Sequence, residues 1–407
     1  MLRFAATALA IVAALGGCGS ATAPSYSSST TTPGGADGGR RSQAADAAAE
    51  GPAPISPVRE YQATAPAGDF IRITIDTGAS TVSYQDETNG LAARDVPYTV
   101  DGTGVYSFAA DPNAHLKRAI ELAADTLIVD VGRAGPGRDT RSIAIGAAST
   151  PMSPGDVPDA RLAMMRLRTT GGGFDVGDVV IAGDAGAVSF DFESYRPWAA
   201  PTGGGAPFAA GPSTVLAIDG GADGAPLDDL VLAGQASEDG GEGGGVLFAT
   251  ASGLAMDTSG ASVLMARQPQ AKDFDPSWAG SYRALLFRKL GAAGAGDGGP
   301  ESGAADVVLA EITVDAAGRL AGADAQGTPI LDGVLLAAAD VSALTGPGLL
   351  DPAHTSGLFT FRTAAADGVE DVFVIFTERG LLAASFTAQA ADGGGAYAYW
   401  YGAALKR

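Results

Sequence analysis

The chain has 407 residues, of which 46% are hydrophobic and 17% are charged, and its formal net charge at pH 7 is −21. An acidic surface repels phosphates, so we expect no nucleic-acid partner. The hydrophobic fraction is too high for an acidic disordered chain and predicts a folded core. One cysteine and two histidines are too few for a disulfide framework or a histidine-rich zinc site, and we expect no catalytic histidine or cysteine.

The first element in chain order is a short apolar run that ends at the only cysteine. Arg3 precedes apolar residues 4–15, and Gly16-Gly17-Cys18 follows them. The run is too short to cross a bilayer as a helix, which needs roughly 20 residues. It therefore predicts a signal peptide over residues 1–17. An ordinary secretory signal followed by an incidental cysteine is the alternative.

The motif Leu15-Gly16-Gly17-Cys18 resembles the lipobox of bacterial lipoproteins. The resemblance implies that the mature chain begins at Cys18 and that its thiol carries a diacylglycerol. Acyl chains such as palmitate would then be the membrane anchor. Gly19, in place of an aspartate at the second mature position, is compatible with sorting to the outer membrane. We therefore expect the bacterial cell envelope as the location, with the outer membrane favoured over the inner one.

Residues 18–57 predict a disordered tether between the lipid and the folded part. They are rich in Ser, Thr, Ala, Gly and Pro, as in the segment SYSSSTTTPGG. Such a composition cannot bury enough apolar surface to fold. The tether would hold the folded part away from the membrane.

Residues 58–267 predict an N-terminal β domain. Segments such as 71–75, which reads IRITI, and 105–108, which reads VYSF, alternate along the chain with a period of two. This period buries one face of a strand and leaves the other in water. Turn sequences such as the DTG at 76–78 and the DGTG at 101–104 separate the strands.

A polar, proline-flanked stretch at residues 268–277 predicts a linker, and residues 278–407 then predict a second β domain with eight strands. The opening motif Trp278-x-Gly280-x-Tyr282 resembles that of small lipocalin-like β-barrels. The expected fold class is all-β. It comprises two tandem antiparallel β domains of barrel or sandwich type, the second an eight-stranded up-and-down barrel.

A faint internal repeat links the two predicted domains. The sequence ITID at residues 73–76, followed by Gly78, recurs as ITVD at residues 312–315, followed by Gly318. Two related β modules in tandem would account for the recurrence. The general sequence preferences of hairpin turns would account for it as well.

The segment Asp76-Thr77-Gly78-Ala79-Ser80, which follows an apolar strand, resembles the active-site signature of aspartic proteases. The resemblance implies a second aspartate, about 3 Å away, that shares one proton with Asp76. Asp219 and Asp257 are the candidates, but neither is followed by Thr-Gly or Ser-Gly. The simpler interpretation is a hairpin turn. We therefore predict no catalytic residue and no enzyme, with an aspartic peptidase that uses Asp76-Thr77-Gly78 as the alternative.

Acidic, glycine-rich segments at residues 219–229 and 238–242 carry oxygen ligands that suit Ca²⁺. They match neither an EF-hand nor a calcium-binding β-roll repeat, so acidic solvated loops are the preferred interpretation. We predict no metal site, no cofactor and no cofactor-binding residue.

The expected function is therefore that of a lipid-anchored, exported envelope protein without enzymatic activity. Its membrane contact is the lipid on Cys18, which is the one predicted site residue. The possible ligands are a protein, a glycan or a small apolar molecule, and a structural envelope protein without a discrete ligand is the remaining alternative.

Overall fold

The structure is a computed structural model. The residues that it describes are 56–123, 125–134, 140–152, 154–168, 173–184, 187–199, 213–218, 230–233, 244–258, 261–267, 275–290, 305–335, 358–365, 368–389 and 398–407. They all belong to one compact unit, Pro54–Arg407. Within these ranges, no helix is long and apolar enough to cross a membrane.

The first sheet has nine antiparallel strands in the order β4-β3-β2-β1-β9-β8-β7-β6-β5. Their bounds are β1 (Val58–Ala65), β2 (Asp69–Asp76), β3 (Thr81–Asp86), β4 (Leu91–Pro97), β5 (Thr99–Val100), β6 (Val105–Ser107), β7 (Leu116–Leu122), β8 (Thr126–Ala134) and β9 (Thr140–Ala148). The chain runs up and down around the sheet until β9 returns to pair with β1. The two edges, β4 and β5, follow each other directly in the sequence.

A closed eight-stranded barrel comes next, in the order β10-β11-β12-β13-β14-β15-β16-β17. Its strands are β10 (Ala160–Arg168), β11 (Gly173–Asp184), β12 (Ala187–Ala199), β13 (Ser213–Ile218), β14 (Leu230–Ala233), β15 (Gly244–Thr250), β16 (Gly253–Thr258) and β17 (Ala261–Arg267). β17 pairs with β10 and closes the barrel. A short 3-10 turn, Pro154–Asp156, precedes it. Residues 58–267 thus form two hydrogen-bonded sheets, one open and one closed.

The third sheet has eight antiparallel strands in the order β21-β20-β19-β18-β25-β24-β23-β22. They are β18 (Gly280–Leu290), β19 (Ala305–Val314), β20 (Arg319–Asp324), β21 (Pro329–Leu335), β22 (Leu358–Ala365), β23 (Gly368–Phe376), β24 (Gly380–Gln389) and β25 (Ala398–Lys406). A 3-10 turn, Pro276–Trp278, leads into β18. The predicted all-β class, with eight up-and-down strands in the C-terminal part, is confirmed.

Each of the three sheets encloses a hydrophobic cluster of its own, and a fourth cluster lies between them. β10 contributes side chains to two of these clusters, the one inside the barrel and the one between the sheets. Leu162 and Met164 point into the barrel, whereas Ala163, Met165 and Leu167 belong to the shared cluster. Because both faces of such a strand are buried, its middle is a run of four apolar residues, 162–165.

The repeat seen in the sequence falls at equivalent places in the first and third sheets. Asp76 ends the second strand of the first sheet, and Asp315 directly follows the second strand of the third sheet. The side chains of Asp76 and Asp315 both accept backbone N–H groups of the turn that follows the strand. Asp315 Oδ1 accepts the backbone N–H groups of Ala317, at 2.9 Å, and Arg319, at 2.8 Å. The positions fit tandem β modules, and the capped turns fit the general preferences of hairpins, so both explanations of the recurrence stay open.

Candidate functional site

Several residues predicted to be functional lie outside the described residues. They are Cys18 with the signal peptide and most of the tether, Asp219, and the two acidic segments at 219–229 and 238–242. Cys18 therefore remains a prediction from the sequence, and the calcium interpretation of the loops remains open to experiment.

Asp76 lies at the end of β2 and organises the turn that leads to β3. Its Oδ1 atom accepts the backbone N–H groups of Gly78, at 2.8 Å, and Ala79, at 2.9 Å. These are the bonds of a side-chain-capped turn. A carboxylate used in this way stabilises a hairpin, as the simpler interpretation of Asp76-Thr77-Gly78 predicted.

The second candidate aspartate, Asp257, lies far from Asp76. Asp257 is on β16 at the side of the barrel that packs against β1 and β2, where Asp69 is near enough to affect its ionisation. Asp69 and Asp76 are the first and last residues of β2, so they are roughly 23 Å apart at about 3.3 Å per residue. Asp76 and Asp257 therefore do not form the proton-sharing pair that an aspartic protease requires.

Asp257 belongs instead to a buried polar group, the junction cluster, which lies where the first sheet meets the barrel. Its members are Thr64, Asp69, Asp86, Asn89, His115, Asp257 and Ser262. The hydroxyl of Thr64 donates to Asp257 Oδ1 at 2.5 Å and lies 2.8 Å from the Ser262 hydroxyl. Thr64 and Ser262 are fully buried, and Asp257 is 6% exposed.

Burial raises the pKa of the Asp257 carboxyl well above its ordinary value. The hydrogen bond from Thr64 acts in the opposite direction and lowers this pKa. The negative charges of Asp69 and Asp86 raise it further. The environment of Asp257 thus favours the protonated, uncharged form of the carboxyl.

The remaining members hold the two other carboxylates of the junction cluster. Asn89 donates through Nδ2 to Asp69 Oδ1 at 2.9 Å and to Asp86 Oδ2 at 2.6 Å. His115 Nε2 lies 3.2 Å from Asp86 Oδ2, and both of these side chains are fully buried. Three carboxyls and one imidazole are close together here. Even so, no group of three or more histidine, cysteine, aspartate or glutamate side chains in the described ranges has a metal-binding arrangement.

A cavity of about 70 Å³ opens where the three sheets meet. Its rim includes Thr126 from the first sheet, Thr250 and Ser252 from the barrel, and Thr377 and Arg379 from the third sheet. Apolar side chains of β8, β9, β16, β17, β24 and β25 line the rest of it. The guanidinium of Arg379 is paired with Asp125 at 2.7 Å.

Two of the rim turns share a sequence that the prediction from sequence missed. Thr-x-x-Gly-Leu occurs at residues 250–254 and again at 377–381, in both cases between the sixth and seventh strands of the sheet. The glycines have the same role, because a Cβ on Gly253 would overlap the carbonyl oxygen of Met265 and one on Gly380 that of Ala404. A search for repeats of this short motif would have found the turns.

The motif Trp278-x-Gly280-x-Tyr282 contributes to the core of the third sheet. Trp278 stacks on Phe376 with ring centroids 4.9 Å apart, and Tyr282 donates its hydroxyl to the carbonyl oxygen of Trp278. Trp400 and Phe359 belong to the same inner cluster. These aromatic side chains therefore pack against one another inside the third sheet.

No protein-family model matches the sequence, and no curated protein matches it. Among solved structures, a double mutant of the vaccine antigen transferrin-binding protein B from Haemophilus parasuis matches at 9% identity and a TM-score of 0.21, over 83% of this chain and 65% of that one. The intact Ap-TbpB, with N and C lobes, matches at 9% identity and a TM-score of 0.18, over 83% of this chain and 67% of that one. DNA polymerase III subunit beta from Pseudomonas aeruginosa matches at 9% identity and a TM-score of 0.12, over 86% of this chain and 93% of that one.

This chain thus spans slightly less than two thirds of the length of the first of these proteins. Superpositions with such low TM-scores transfer neither a fold nor a function. The fold described above rests on the strand pairing of this chain alone.

Proposed function

We propose that this chain is an exported, lipid-anchored protein of the bacterial cell envelope that binds a macromolecular partner, a protein or a glycan, with its outer surface. The proposal favours the outer membrane as the location and includes no enzymatic activity. The observation that carries it is the packing of apolar side chains inside each of the three sheets, among the residues that the structure describes. The lipobox-like motif that ends at Cys18 supplies the membrane attachment.

In the part of the chain that the structure describes, the packing inside the sheets argues against a carrier of small apolar molecules. The inner cluster of the barrel includes Leu162, Met164 and Phe190, and all three are at most 2% exposed. Ligand pockets for small molecules usually measure about 300–1,000 Å³. The cavity between the sheets, at about 70 Å³, is several times smaller. Binding to the surface, through turns and loops at the ends of strands, is what this architecture supports.

The geometry of Asp76 and Asp257 argues against an aspartic peptidase that would use these two carboxylates. Asp76 caps a turn, and Asp257 is buried at the other end of β2. An aspartic peptidase needs both carboxylates on one water molecule. Pepstatin-sensitive proteolysis that disappears in Asp76→Asn would overturn this part of the proposal.

The anchor is tested by expressing the full chain in a bacterial host with radiolabelled palmitate. The wild-type chain is expected to take up label and to partition into the detergent phase of Triton X-114, and Cys18→Ala is expected to do neither. Ser20→Ala is the matched control and should behave as the wild type. A wild-type chain that is exported but stays unlabelled would contradict the lipid anchor.

Surface binding is tested on the mature protein without its lipid. A fluorescent fatty-acid probe is expected to show no saturable binding, because apolar side chains of the described residues already pack inside the sheets. Saturable one-to-one binding would contradict the assignment and would favour a carrier function.

A further inference from the structure

The contact between the first sheet and the barrel has a polar centre, formed by one carboxyl and two hydroxyl groups. Thr64 extends from β1, Asp257 from β16 and Ser262 from β17, and the three side chains form one hydrogen-bonded set. Phe70 and Phe248 pack beside it with ring centroids 5.9 Å apart. In the part of the chain that the structure describes, no lysine or arginine pairs with Asp257.

We propose that Thr64, Asp257 and Ser262 form an acid-strengthened contact that holds the first sheet against the barrel and weakens as the pH rises. A carboxyl that is buried without a cation is stable only while it keeps its proton. Once Asp257 ionises, its charge has two hydroxyl groups beside it and, among the described residues, no counter-charge. Moving the first sheet away from the barrel would return that charge to water.

The other ionisable groups that face Asp257 oppose its ionisation. From β2 it faces Asp69, and from β3 it faces Asp86, and both carboxylates add negative charge at the contact. His115, which precedes β7, lies against Asp86 at 3.2 Å and forms part of the second layer. The groups contributed by β1 and β17 at this point, Thr64 and Ser262, are hydroxyls and do not titrate in this range.

The sign of the effect follows from where the proton is held more tightly. In the closed contact the pKa of Asp257 is raised, whereas in the open or unfolded chain it has its ordinary value. Below the ordinary value both forms are protonated and the contact is at its strongest. Between the ordinary and the raised pKa the open form loses its proton first, so opening becomes easier by up to about tenfold for each pH unit. Above the raised pKa the loss is complete.

The experiment is hydrogen–deuterium exchange on the mature wild-type protein and Asp257→Asn between pH 5 and pH 8, corrected for the intrinsic pH dependence of amide exchange. Asparagine keeps the oxygen that accepts from Thr64 but cannot ionise. In the wild type, the protection of the β1 and β16 amides from exchange is expected to fall as the pH rises, by up to about tenfold per pH unit. In Asp257→Asn it is expected to stay constant. Parallel profiles for the two proteins would overturn the proposal.

Asp95→Asn is the matched control. It makes the same chemical change at an exposed carboxyl on β4, and its profile is expected to follow that of the wild type. If Asp257→Asn does not fold, the wild type alone decides the matter, because β23 and β24 in the third sheet serve as an internal reference. Protection that falls with pH equally in β1, β16 and this reference would overturn the proposal.

Discussion

The first sheet makes two contacts that each bury an aspartate. In one contact the aspartate is paired with arginines, and in the other it is surrounded by hydroxyl groups and further carboxylates. Towards the third sheet it buries Asp130, which accepts hydrogen bonds from Arg118 at 3.0 Å and from Arg141 at 2.7 Å. Arg141 also reaches Asp306 of the third sheet at 2.8 Å. Towards the barrel it buries Asp257 beside two hydroxyl groups and two further carboxylates.

The difference shows what decides the state of a buried carboxyl. Two guanidinium groups offset the cost of taking the charge of Asp130 out of water, so this contact can remain ionic. Asp257 lacks such partners in the described residues, and retaining a proton is the way in which it avoids that cost. One contact is therefore ionic and the other depends on pH, although both involve an aspartate that is almost completely buried.

The largest effect is expected from removing the ionic centre. Asp130→Ala should lower the free energy of unfolding by about 3 kcal/mol, because two arginines lose their shared acceptor. Each arginine is about one third exposed, at 31% and 32%, and can turn towards water, which keeps the loss at the lower end of the range for buried pairs. Urea unfolding followed by tryptophan fluorescence measures it.

Asp306→Ala is the control for this first variant. Asp306 binds the same Arg141 but is 54% exposed, so its loss should cost less than about 1 kcal/mol. Equal costs for Asp130→Ala and Asp306→Ala would contradict the central place given to the buried carboxylate.

A smaller effect is expected on the barrel side. Thr64→Val keeps the shape of the side chain but removes the donor to Asp257, which leaves a buried acceptor without its hydrogen bond. The free energy of unfolding should fall by about 2 kcal/mol. Thr313→Val, at an exposed position on β19, makes the same change where no buried partner is lost and should cost less than about 0.5 kcal/mol. An equal loss of unfolding free energy in Thr64→Val and Thr313→Val would show that the cost does not come from the junction cluster.

The smallest effect is expected at the exposed ion pair between the first and third sheets. Arg379 and Asp125 are 42% and 26% exposed, and Arg379→Ala should lower the free energy of unfolding by about 0.5 kcal/mol. The difference from the wild type should shrink at 1 M salt, where the screening length is about 3 Å. An effect as large as that of Asp130→Ala, or one that salt leaves unchanged, would argue against this ranking.

The local parts of the fold could be predicted from the sequence because local chemistry determines them. Alternation with a period of two identified strands such as those at residues 71–75 and 105–108, and the turn at Asp76 has the capping bonds that its sequence predicts. The eight strands of the C-terminal part were found in the same way.

The division of residues 58–267 into two sheets depends on distant pairing. Turns within a sheet and the connection between sheets have similar sequences, and only the pairing of β10 with β17 closes the barrel. The junction cluster is equally non-local, since Thr64 and Asp257 are 193 residues apart. Asp257 is followed in the sequence by Thr-Ser-Gly, a pattern typical of a polar turn. The local sequence therefore does not predict a buried carboxyl at this position.

The return of the last strand to the first has a consequence for how this chain acquires its structure. β9 pairs with β1, β17 with β10 and β25 with β18, so no sheet is complete until its final strand has been made. Pairings between distant strands form slowly, and an unpaired edge invites contact with other chains meanwhile. Because each sheet is a continuous stretch of sequence, a chain synthesised from its N-terminus can finish one sheet before the next has been made. Loss of residues 398–407 would expose the edges of β18 and β24 and leave the third sheet prone to aggregation.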